Sequence, residues 1–254
     1  MAGHDDTWAS LAAASRGILQ RPQVAGRPAF VLEPSVYAPG RPWVFYAPAF
    51  DGSYPTPRQS WIFGRLLEDG IAVAGIDVGE SFGNPQSRAW FDAAYEYATR
   101  TLRLAARACL VPQSRGGLML YNWAAEHPDR VAGVTGIYTV CDLRSYPGLE
   151  KACGAYGMSA PELSARLAAH NPVDRLAPLA ARRVPLWHIH GDSDAVVPLE
   201  ANAGELVRRY RALGGPAELL EVPGYGHEEH ALFFERQEVV EAARSQALAG
   251  AATS

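Results

Sequence analysis

A serine lies between a short apolar run and a helical stretch in the segment ACLVPQSRGGLMLYNWAAEHP. Ser114 ends the first part, and Arg115, Gly116 and Gly117 begin the second. A serine at such a junction has to make a sharp turn, which needs small neighbouring residues. Its hydroxyl would then be exposed at the N-terminus of a helix, where the helix dipole favours developing negative charge. The segment predicts a nucleophilic serine, although serine is also a common helix N-cap.

The residues around this serine follow a known spacing with one departure. The general pattern is G-x-S-x-G, and here it reads Pro112-Gln113-Ser114-Arg115-Gly116. Proline in place of the first glycine has no N–H to offer and a fixed φ. It nevertheless suits the end of a strand and adds little bulk there.

Two aspartates follow the apolar run PLWHIHG and are candidates for an acidic partner. Asp192 comes directly after Gly191, where it is well placed to stabilise the turn. Asp194 lies two residues further on, ahead of a Val-Val-Pro sequence and a helical stretch. Both also suit a purely structural role, because aspartate is a common turn residue.

Histidines that could act as a base follow the run ending at Pro223-Gly224. His227 comes after a Gly-Tyr-Gly loop, which can present an imidazole from irregular backbone. His230 is the alternative, and we expect it to face the following helix or solvent. His188 and His190 share one face of a strand and are interpreted as residues of the core or its rim. No further ligand at suitable spacing accompanies them to make a metal site.

Apolar runs alternate with helical stretches along the chain, which is typical of a parallel sheet with helices on both faces. Most runs are continuous rather than alternating, as in strands that are covered on both faces. We therefore predict an α/β fold in which the serine, aspartate and histidine follow three different strands at their carboxyl ends, where open α/β sheets place their sites. The predicted strands are 28–34, 43–48, 71–78, 108–113, 131–140, 185–191 and 217–224.

The helical stretches carry apolar residues at helical spacing, and their aromatic residues are interpreted as core. One segment, 141–182, interrupts the alternation with prolines, glycines and a single predicted short helix at about 160–169. It is too long for an ordinary connection, so we predict an insertion or small cap over the carboxyl edge of the sheet. The predicted helices lie within 56–70, 88–107, 116–128, 199–215 and 236–250.

Charge and hydropathy exclude several classes of protein. The 254 residues suit one large α/β domain, which we predict over 1–254. The net charge is −4, so the surface offers no electrostatic footprint for DNA, RNA or an anionic membrane. No run reaches the roughly 20 apolar residues that a bilayer span requires.

The N-terminal stretch and the cysteines bear on the compartment. The stretch MAGHDDTWASLAAASRG has early acidic residues and no basic region, so it does not read as a signal peptide. We predict a cytoplasmic protein, although a chain whose leader had been removed would look the same. Cys109 is interpreted as a small buried residue. Cys141 and Cys153 flank a loop-rich segment and would either pair in an oxidising compartment or remain free thiols.

The motifs together resemble those of α/β-hydrolases, in particular the dienelactone-hydrolase and prolyl-oligopeptidase-like serine esterase branch. The resemblance covers roughly residues 28–246 and includes no propeller domain. It rests on the order nucleophile, acid, base and on the segments FYAPAFDGS, IDVGESFGNP, PQSRGG, HIHGDSDAVVP and PGYGH. Where the family usually has H-G-x-x after its strand, this chain has Pro48-Ala49-Phe50-Asp51-Gly52, without the histidine.

The resemblance implies acyl transfer to water with no cofactor or metal. Ser114 would be the nucleophile, His227 the base and Asp194 the acid, since Asp194 matches the family's H-G-x-x-D-x-x-V-P position. The oxyanion would be met by the backbone N–H groups of Arg115 and Phe50. We expect the Arg115 side chain to pair with a carboxylate behind the turn rather than to contact substrate.

The substrate pocket is predicted from residues near the same sheet edge. An aromatic and partly acidic rim suits a neutral ester, such as an acylated sugar or an aryl ester, better than an anionic one. The alternatives are a serine peptidase and a non-catalytic binding protein on the same fold. The predicted pocket residues are Asp51, Tyr54, Glu80, Phe82, Arg144 and Tyr146.

Overall fold

The computed structural model describes residues 7–252. Residues 1–6 of the N-terminal stretch and residues 253–254 at the end of the predicted domain lie outside it. Its sheet contains nine strands in the order β1-β3-β5-β4-β6-β7-β8-β9, with β2 paired to β3. The strands β4 to β9 run parallel, and β1, β2 and β3 are antiparallel to their neighbours. They are β1 (Ile18–Gln20), β2 (Gln23–Val24), β3 (Arg27–Glu33), β4 (Trp43–Ala47), β5 (Ala72–Ile76), β6 (Ala108–Pro112), β7 (Val131–Ile137), β8 (Leu186–Gly191) and β9 (Ala217–Val222).

Helices cover both faces of this sheet. The side chains of β4 alternate between the faces: Trp43 and Phe45 belong to the apolar core on one side, and Val44 and Tyr46 to the core on the other. Every residue of β4, β5, β6 and β7 is buried, as the continuous apolar runs predicted. The longer helices are α1 (Thr7–Ser15), α2 (Ser60–Glu68), α3 (Pro85–Glu96), α4 (Gly116–Glu126), α9 (Ala203–Ala212) and α11 (Gln237–Ala251).

The seven predicted strands are all present, whereas α1, β1 and β2 were not predicted. The helix predicted over 88–107 was too long: α3 begins at Pro85, and a π-helical turn then ends at Thr101. Arg103 has a φ of 56°, which a helix does not accommodate. Beyond it, the N–H of Ala105 donates to the carbonyl of Arg41, so the chain is already held against the sheet.

The segment 141–182 contains more helix than was predicted. The expected helix at 160–169 is two helices separated by Arg166. One further helix precedes this pair and another follows it. Leu143, Leu163 and Leu167 pack with Leu118 and Val197 in a separate apolar cluster, which we call the cap cluster. The helices of the segment are α5 (Leu149–Ala152), α6 (Ala160–Ala165), α7 (Leu167–His170) and α8 (Ala177–Ala181). The remaining short helix of the chain is α10 (Ala231–Phe234).

The cysteines are free thiols. Cys109 and Cys141 are buried and Cys153 is partly exposed, so the structure shows no disulfide between Cys141 and Cys153. Burial raises the pKa of the Cys109 thiol to about 12. Within residues 7–252 no helix has the length and apolar character needed to cross a membrane.

His188 on β8 is fully buried, and its two ring nitrogens lie 2.7 Å from the Tyr121 hydroxyl and 3.0 Å from the Thr139 hydroxyl. Burial, and to a lesser extent the charge of His190, lower the pKa of His188 to about 3 from 6.5. Between these pH values the unfolded chain binds a proton that the folded protein does not, so folding stability falls as the pH falls.

We expect His188 to make the free energy of unfolding fall more steeply as the pH is lowered. The free energy of unfolding, measured with urea between pH 6.5 and 4, should lose up to about 1.4 kcal/mol per pH unit through this one group. His188→Gln removes the titrating group, so its stability should fall less steeply over the same range. Equal slopes for the two proteins would contradict the expectation.

Candidate active site

Ser114 lies two residues after the end of β6 and has a φ of 48°, in the left-handed region that a non-glycine residue seldom occupies. The turn is closed by two backbone hydrogen bonds, from Gly116 N–H to the Gln113 carbonyl at 2.8 Å and from Gly117 N–H to the Ser114 carbonyl at 3.0 Å. Such strain is found where function over-determines the backbone. The helix α4 begins at once, so the hydroxyl lies beside its N-terminus.

Neither glycine after the serine has room for a side chain. A methyl group at Gly116 would lie 2.1 Å from the carbonyl oxygen of Ala47, and one at Gly117 would lie 2.3 Å from that of Val140. Both contacts are to backbone atoms, which cannot move aside. The Gly-Gly pair therefore allows α4 to approach the ends of β4 and β7 closely, and this fixes the position of the serine.

The structure brings Ser114, His227 and Asp194 together in one hydrogen-bonded row. Ser114 Oγ lies 2.8 Å from His227 Nε2, and His227 Nδ1 lies 2.8 Å from Asp194 Oδ2. Because an ionised carboxylate only accepts hydrogen bonds, Nδ1 carries the proton and Nε2 is free to accept the serine proton. The three side chains come from the loops after β6, β9 and β8.

Asp194 is held as a carboxylate although its side chain is buried. Its Oδ1 atom accepts hydrogen bonds from the backbone N–H groups of Val196 at 3.0 Å and Val197 at 2.8 Å. Burial raises the pKa of Asp194, but hydrogen bonds from His190, His227 and Val197 outweigh it and hold the pKa well below its ordinary value. The acid is therefore ionised over the whole range in which a histidine base works.

His190, which was predicted to belong to the core or its rim, is a neighbour of this acid. It is fully buried, with Nε2 2.8 Å from the Val197 carbonyl and 3.4 Å from Asp194 Oδ2. Its position near the end of β8, four residues before Asp194, could have indicated this contact.

The two rival residues have other partners. Asp192 Oδ1 accepts hydrogen bonds from the N–H of Gly224 at 2.7 Å and from the Ser193 hydroxyl at 2.9 Å, so this carboxylate holds the turn after β8. His230 caps α10, where its Nδ1 accepts from the N–H of Leu232 at 3.2 Å. Both are structural positions of the kind that the sequence left open.

The two predicted oxyanion donors differ in their availability. In residues 7–252 no acceptor is bonded to the N–H of Arg115, which lies at the start of α4. The N–H of Phe50 already donates to the Tyr54 carbonyl at 2.9 Å. Phe50 is therefore not a free donor in this arrangement, because the loop after β4 closes on itself through that bond. The first residue of that loop, Pro48, has no N–H.

A cavity of about 220 Å³ opens beside Ser114 and His227. Of the six predicted pocket residues, Tyr54 and Tyr146 line it. Tyr146 comes from the segment 141–182, so this segment forms part of the cavity wall. Apart from Arg115 and the catalytic candidates, the remaining lining residues were not predicted from the sequence. They are Pro48, Gln113, Tyr138, Val196, Glu228 and Glu229.

The four other predicted pocket residues lie outside the cavity lining and have partners of their own. Asp51 forms an exposed ion pair with Arg21 at 2.8 Å. Glu80 pairs with the guanidinium of Arg115, so the expected carboxylate partner of that arginine is present.

Phe82 and Arg144 are the other two predicted pocket residues that lie outside the cavity lining. Phe82 packs against the cap cluster. Arg144 turns back to Asp142, donating to both carboxylate oxygens at 2.7–3.1 Å. Local ion pairs and apolar packing thus draw these side chains away from the nucleophile.

A buried row of polar side chains supports the floor of the cavity. Gln113 Oε1 accepts from the Tyr46 hydroxyl at 2.6 Å and from Gln59 Nε2 at 2.9 Å, and Gln113 Nε2 donates to the Tyr138 hydroxyl at 3.0 Å. The Tyr138 ring lies 4.5 Å from the His227 ring, centroid to centroid. The residue before the nucleophile thereby positions the surface on which the histidine rests.

No cluster of three or more His, Cys, Asp and Glu residues within 7–252 is arranged to hold a metal ion. The row of Ser114, His227 and Asp194 offers the chemistry of a serine hydroxyl activated by a histidine.

Comparisons with known proteins place the fold. No family model matches the sequence, and no curated protein matches it. Among solved structures, Mycobacterium tuberculosis MPT51 (FbpC1) has a TM-score of 0.68 at 19% identity, over 91% of this chain and 99% of that one. Carboxyl esterase 2 of Tuber melanosporum has a TM-score of 0.67 at 16% identity, over 92% and 85%. An esterase/lipase from an uncultured bacterium has 0.67 at 16%, over 96% and 90%.

The chain has the α/β-hydrolase fold. The fold class predicted from the alternating strands and helices is confirmed, and so is the resemblance to α/β-hydrolases at the level of the fold. The α/β-hydrolase sheet explains why the loops after β6, β8 and β9 meet, since the carboxyl ends of parallel strands share one edge.

Proposed function

We propose that this α/β-hydrolase is a serine hydrolase that cleaves carboxylic esters through an acyl-enzyme. The observation that carries the proposal is the row from Ser114 Oγ through His227 to Asp194, with both distances at 2.8 Å. The strained backbone of Ser114 adds support, because it presents the hydroxyl at the helix N-terminus.

In the proposed first step, Ser114 Oγ attacks the ester carbonyl carbon while His227 Nε2 takes its proton. The carbonyl oxygen becomes an oxyanion, which the N–H of Arg115 is placed to receive. The intermediate then collapses, the bond to the alcohol oxygen breaks, and the imidazolium returns the proton to that oxygen. Asp194 holds the imidazole tautomer and stabilises the imidazolium throughout.

Water completes the cycle. His227 takes a proton from a water molecule, which attacks the acyl carbon, and the second intermediate releases the acid and restores Ser114. The cavity has about the volume of seven water molecules at roughly 30 Å³ each. A short acyl or alcohol group fits that space, and the tyrosine walls suit an acylated sugar or an aryl ester.

A fluorophosphonate probe tests this proposal, since only an activated serine reacts readily. We expect the folded protein to be labelled on the peptide that carries Ser114, as read by mass spectrometry. A parallel screen of p-nitrophenyl esters, acetylated sugars and peptide anilides should show ester turnover. Labelling with cleavage of peptides alone would replace the esterase by a peptidase. No labelling of the folded protein would contradict the proposal and favour a binding protein.

Tyr146 allows the role of the segment 141–182 to be tested. Tyr146→Ala should enlarge the cavity, so we expect the ratio of kcat/KM for an octanoyl over an acetyl p-nitrophenyl ester to rise roughly tenfold. Met158→Ala is the control, because Met158 packs on the cap cluster and does not line the cavity. Chain-length preference that stays the same in Tyr146→Ala would show that the segment does not shape the acyl site.

A further inference from the structure

Two carboxylates without cationic partners line the cavity beside the nucleophile. Glu228 and Glu229 follow His227 directly, and both line the 220 Å³ cavity. Within the part of the chain that the structure describes, neither forms an ion pair. Glu228 is exposed, whereas Glu229 is partly buried.

Among residues 7–252, the hydrogen-bond donors to the carboxylate of Glu229 are neutral groups. Its Oε2 atom accepts from the Thr56 hydroxyl at 3.1 Å, and its Oε1 atom from Gln59 Nε2 at 3.4 Å. Gln59 also donates to Gln113, the residue before the nucleophile. Glu229 is thus held against the floor of the cavity, with its charge uncompensated.

Arg115, the arginine among the described residues that line the cavity, is paired with a carboxylate. The guanidinium of Arg115 pairs with Glu80 and lies over the ring of Phe50, 5.6 Å from its centroid. An anionic substrate would therefore meet a neutralised cation and two free carboxylates. A cationic substrate would instead be attracted by the two carboxylates and only weakly repelled by the paired arginine.

The remaining walls also favour a cation. Tyr54, Tyr138 and Tyr146 line the cavity, and tyrosine faces attract ammonium groups. Tyr54 and Glu229 line the same cavity, and burial raises the pKa of Tyr54, which the charge of Glu229 raises further.

We propose that Glu229 is a specificity residue that selects esters bearing an ammonium group. The inference rests on the proposed esterase function and names its substrate class. Because the cavity is small, the ammonium lies within a few bonds of the ester carbonyl, on either the acyl side or the alcohol side. A carboxylate partly shielded from water and tyrosine rings together replace part of the water that the cation loses.

Two pairs of esters with matched shape test the proposal and distinguish the two sides. Acetylcholine and 3,3-dimethylbutyl acetate differ by one charge in the alcohol. The methyl esters of 4-(trimethylammonio)butanoate and 5,5-dimethylhexanoate differ by one charge in the acyl group. Hydrolysis is followed by pH-stat at one ionic strength, and kcat and KM are measured separately.

We expect the wild-type protein to prefer the charged ester of at least one pair roughly tenfold in kcat/KM, equivalent to about 1.4 kcal/mol. Glu229→Gln retains the shape and an acceptor oxygen, so it should bring that ratio close to one through a higher KM for the charged ester only. Glu235→Gln is the matched control, since its carboxylate pairs with Arg58 at 3.8 Å outside the cavity, and the ratio should be unchanged.

The failures are distinguishable. A wild-type protein that hydrolyses the neutral esters without preferring the charged ones overturns the role of Glu229 and leaves the esterase standing. Turnover of none of the four esters, with no labelling of Ser114, overturns both. Equal losses on charged and neutral esters in Glu229→Gln would make Glu229 a structural residue.

A second measurement uses only the wild-type protein, so it tests the proposal even if Glu229→Gln does not fold. Inhibition of the wild-type protein by choline is compared with inhibition by its neutral isostere 3,3-dimethylbutan-1-ol. We expect the inhibition constant of choline to be roughly tenfold lower at low salt, with the gap narrowing as salt screens the charge. Equal inhibition constants would overturn the proposal.

Discussion

Ser114→Ala should lower kcat/KM for p-nitrophenyl acetate roughly 10⁴-fold or more, because it removes the hydroxyl that we propose forms the acyl-enzyme. The variant keeps the small side chain that the turn after β6 requires, so we expect the far-ultraviolet circular dichroism and the thermal midpoint to stay close to those of the wild-type protein. Steady-state rates and intact-protein mass spectra after probe treatment give the two readouts.

Ser193→Ala is the matched control for that experiment. Ser193 is exposed, and its hydroxyl donates to Asp192 at 2.9 Å rather than to His227. Its loss should change the rate by less than about twofold, as for an ordinary surface substitution. If folded Ser114→Ala kept more than a few per cent of the wild-type rate, a different nucleophile would have to be sought.

Asp194→Asn should be nearly as damaging, with a fall in kcat of roughly 10⁴-fold. The carboxylate accepts the Nδ1 proton of His227 at 2.8 Å. An amide in its place donates to Nδ1 and moves the proton to Nε2, which then cannot accept the proton of Ser114. The pH–rate profile and the rate at saturating ester check this result.

Asp192→Asn separates the acid from its neighbour. Asp192 is exposed and bonds to the N–H of Gly224, so an asparagine oxygen can replace it there. We expect a loss of less than about tenfold in kcat, typical of a residue that stabilises a turn. A folded Asp192→Asn protein that is less active than Asp194→Asn would reverse the assignment of the acid.

The sequence was sufficient for the strands β4 to β7, because they are buried on both faces and appear as nearly continuous apolar runs. The short strands β1 and β2 lack such runs: Ile18 is 58% exposed, and only Val24 of β2 is buried. Their pairing with β3 is made by backbone hydrogen bonds, which hydrophobic patterns do not record.

The candidate site likewise contains residues that the sequence predicts and residues that it does not. Ser114, Asp194 and His227 come at strand ends, so the topology alone brings their loops together. The pocket residues were harder to predict, since Glu80 and Arg144 are drawn to Arg115 and Asp142 by ion pairs that form only in the folded chain. Gln113 and Glu229 adjoin the catalytic candidates in sequence, which was a usable signal for both.

Gln113 also determines which positions of the site are open to variation. Through three hydrogen bonds it joins β4, the start of α2 and the end of β7, so a substitution would leave buried partners unsatisfied on several elements at once. Val196 is half-exposed and has a side chain without polar atoms. A combinatorial library for new substrates should therefore diversify Val196 and Tyr146 and leave Gln113 unchanged, because variants at the first two keep the support beneath His227.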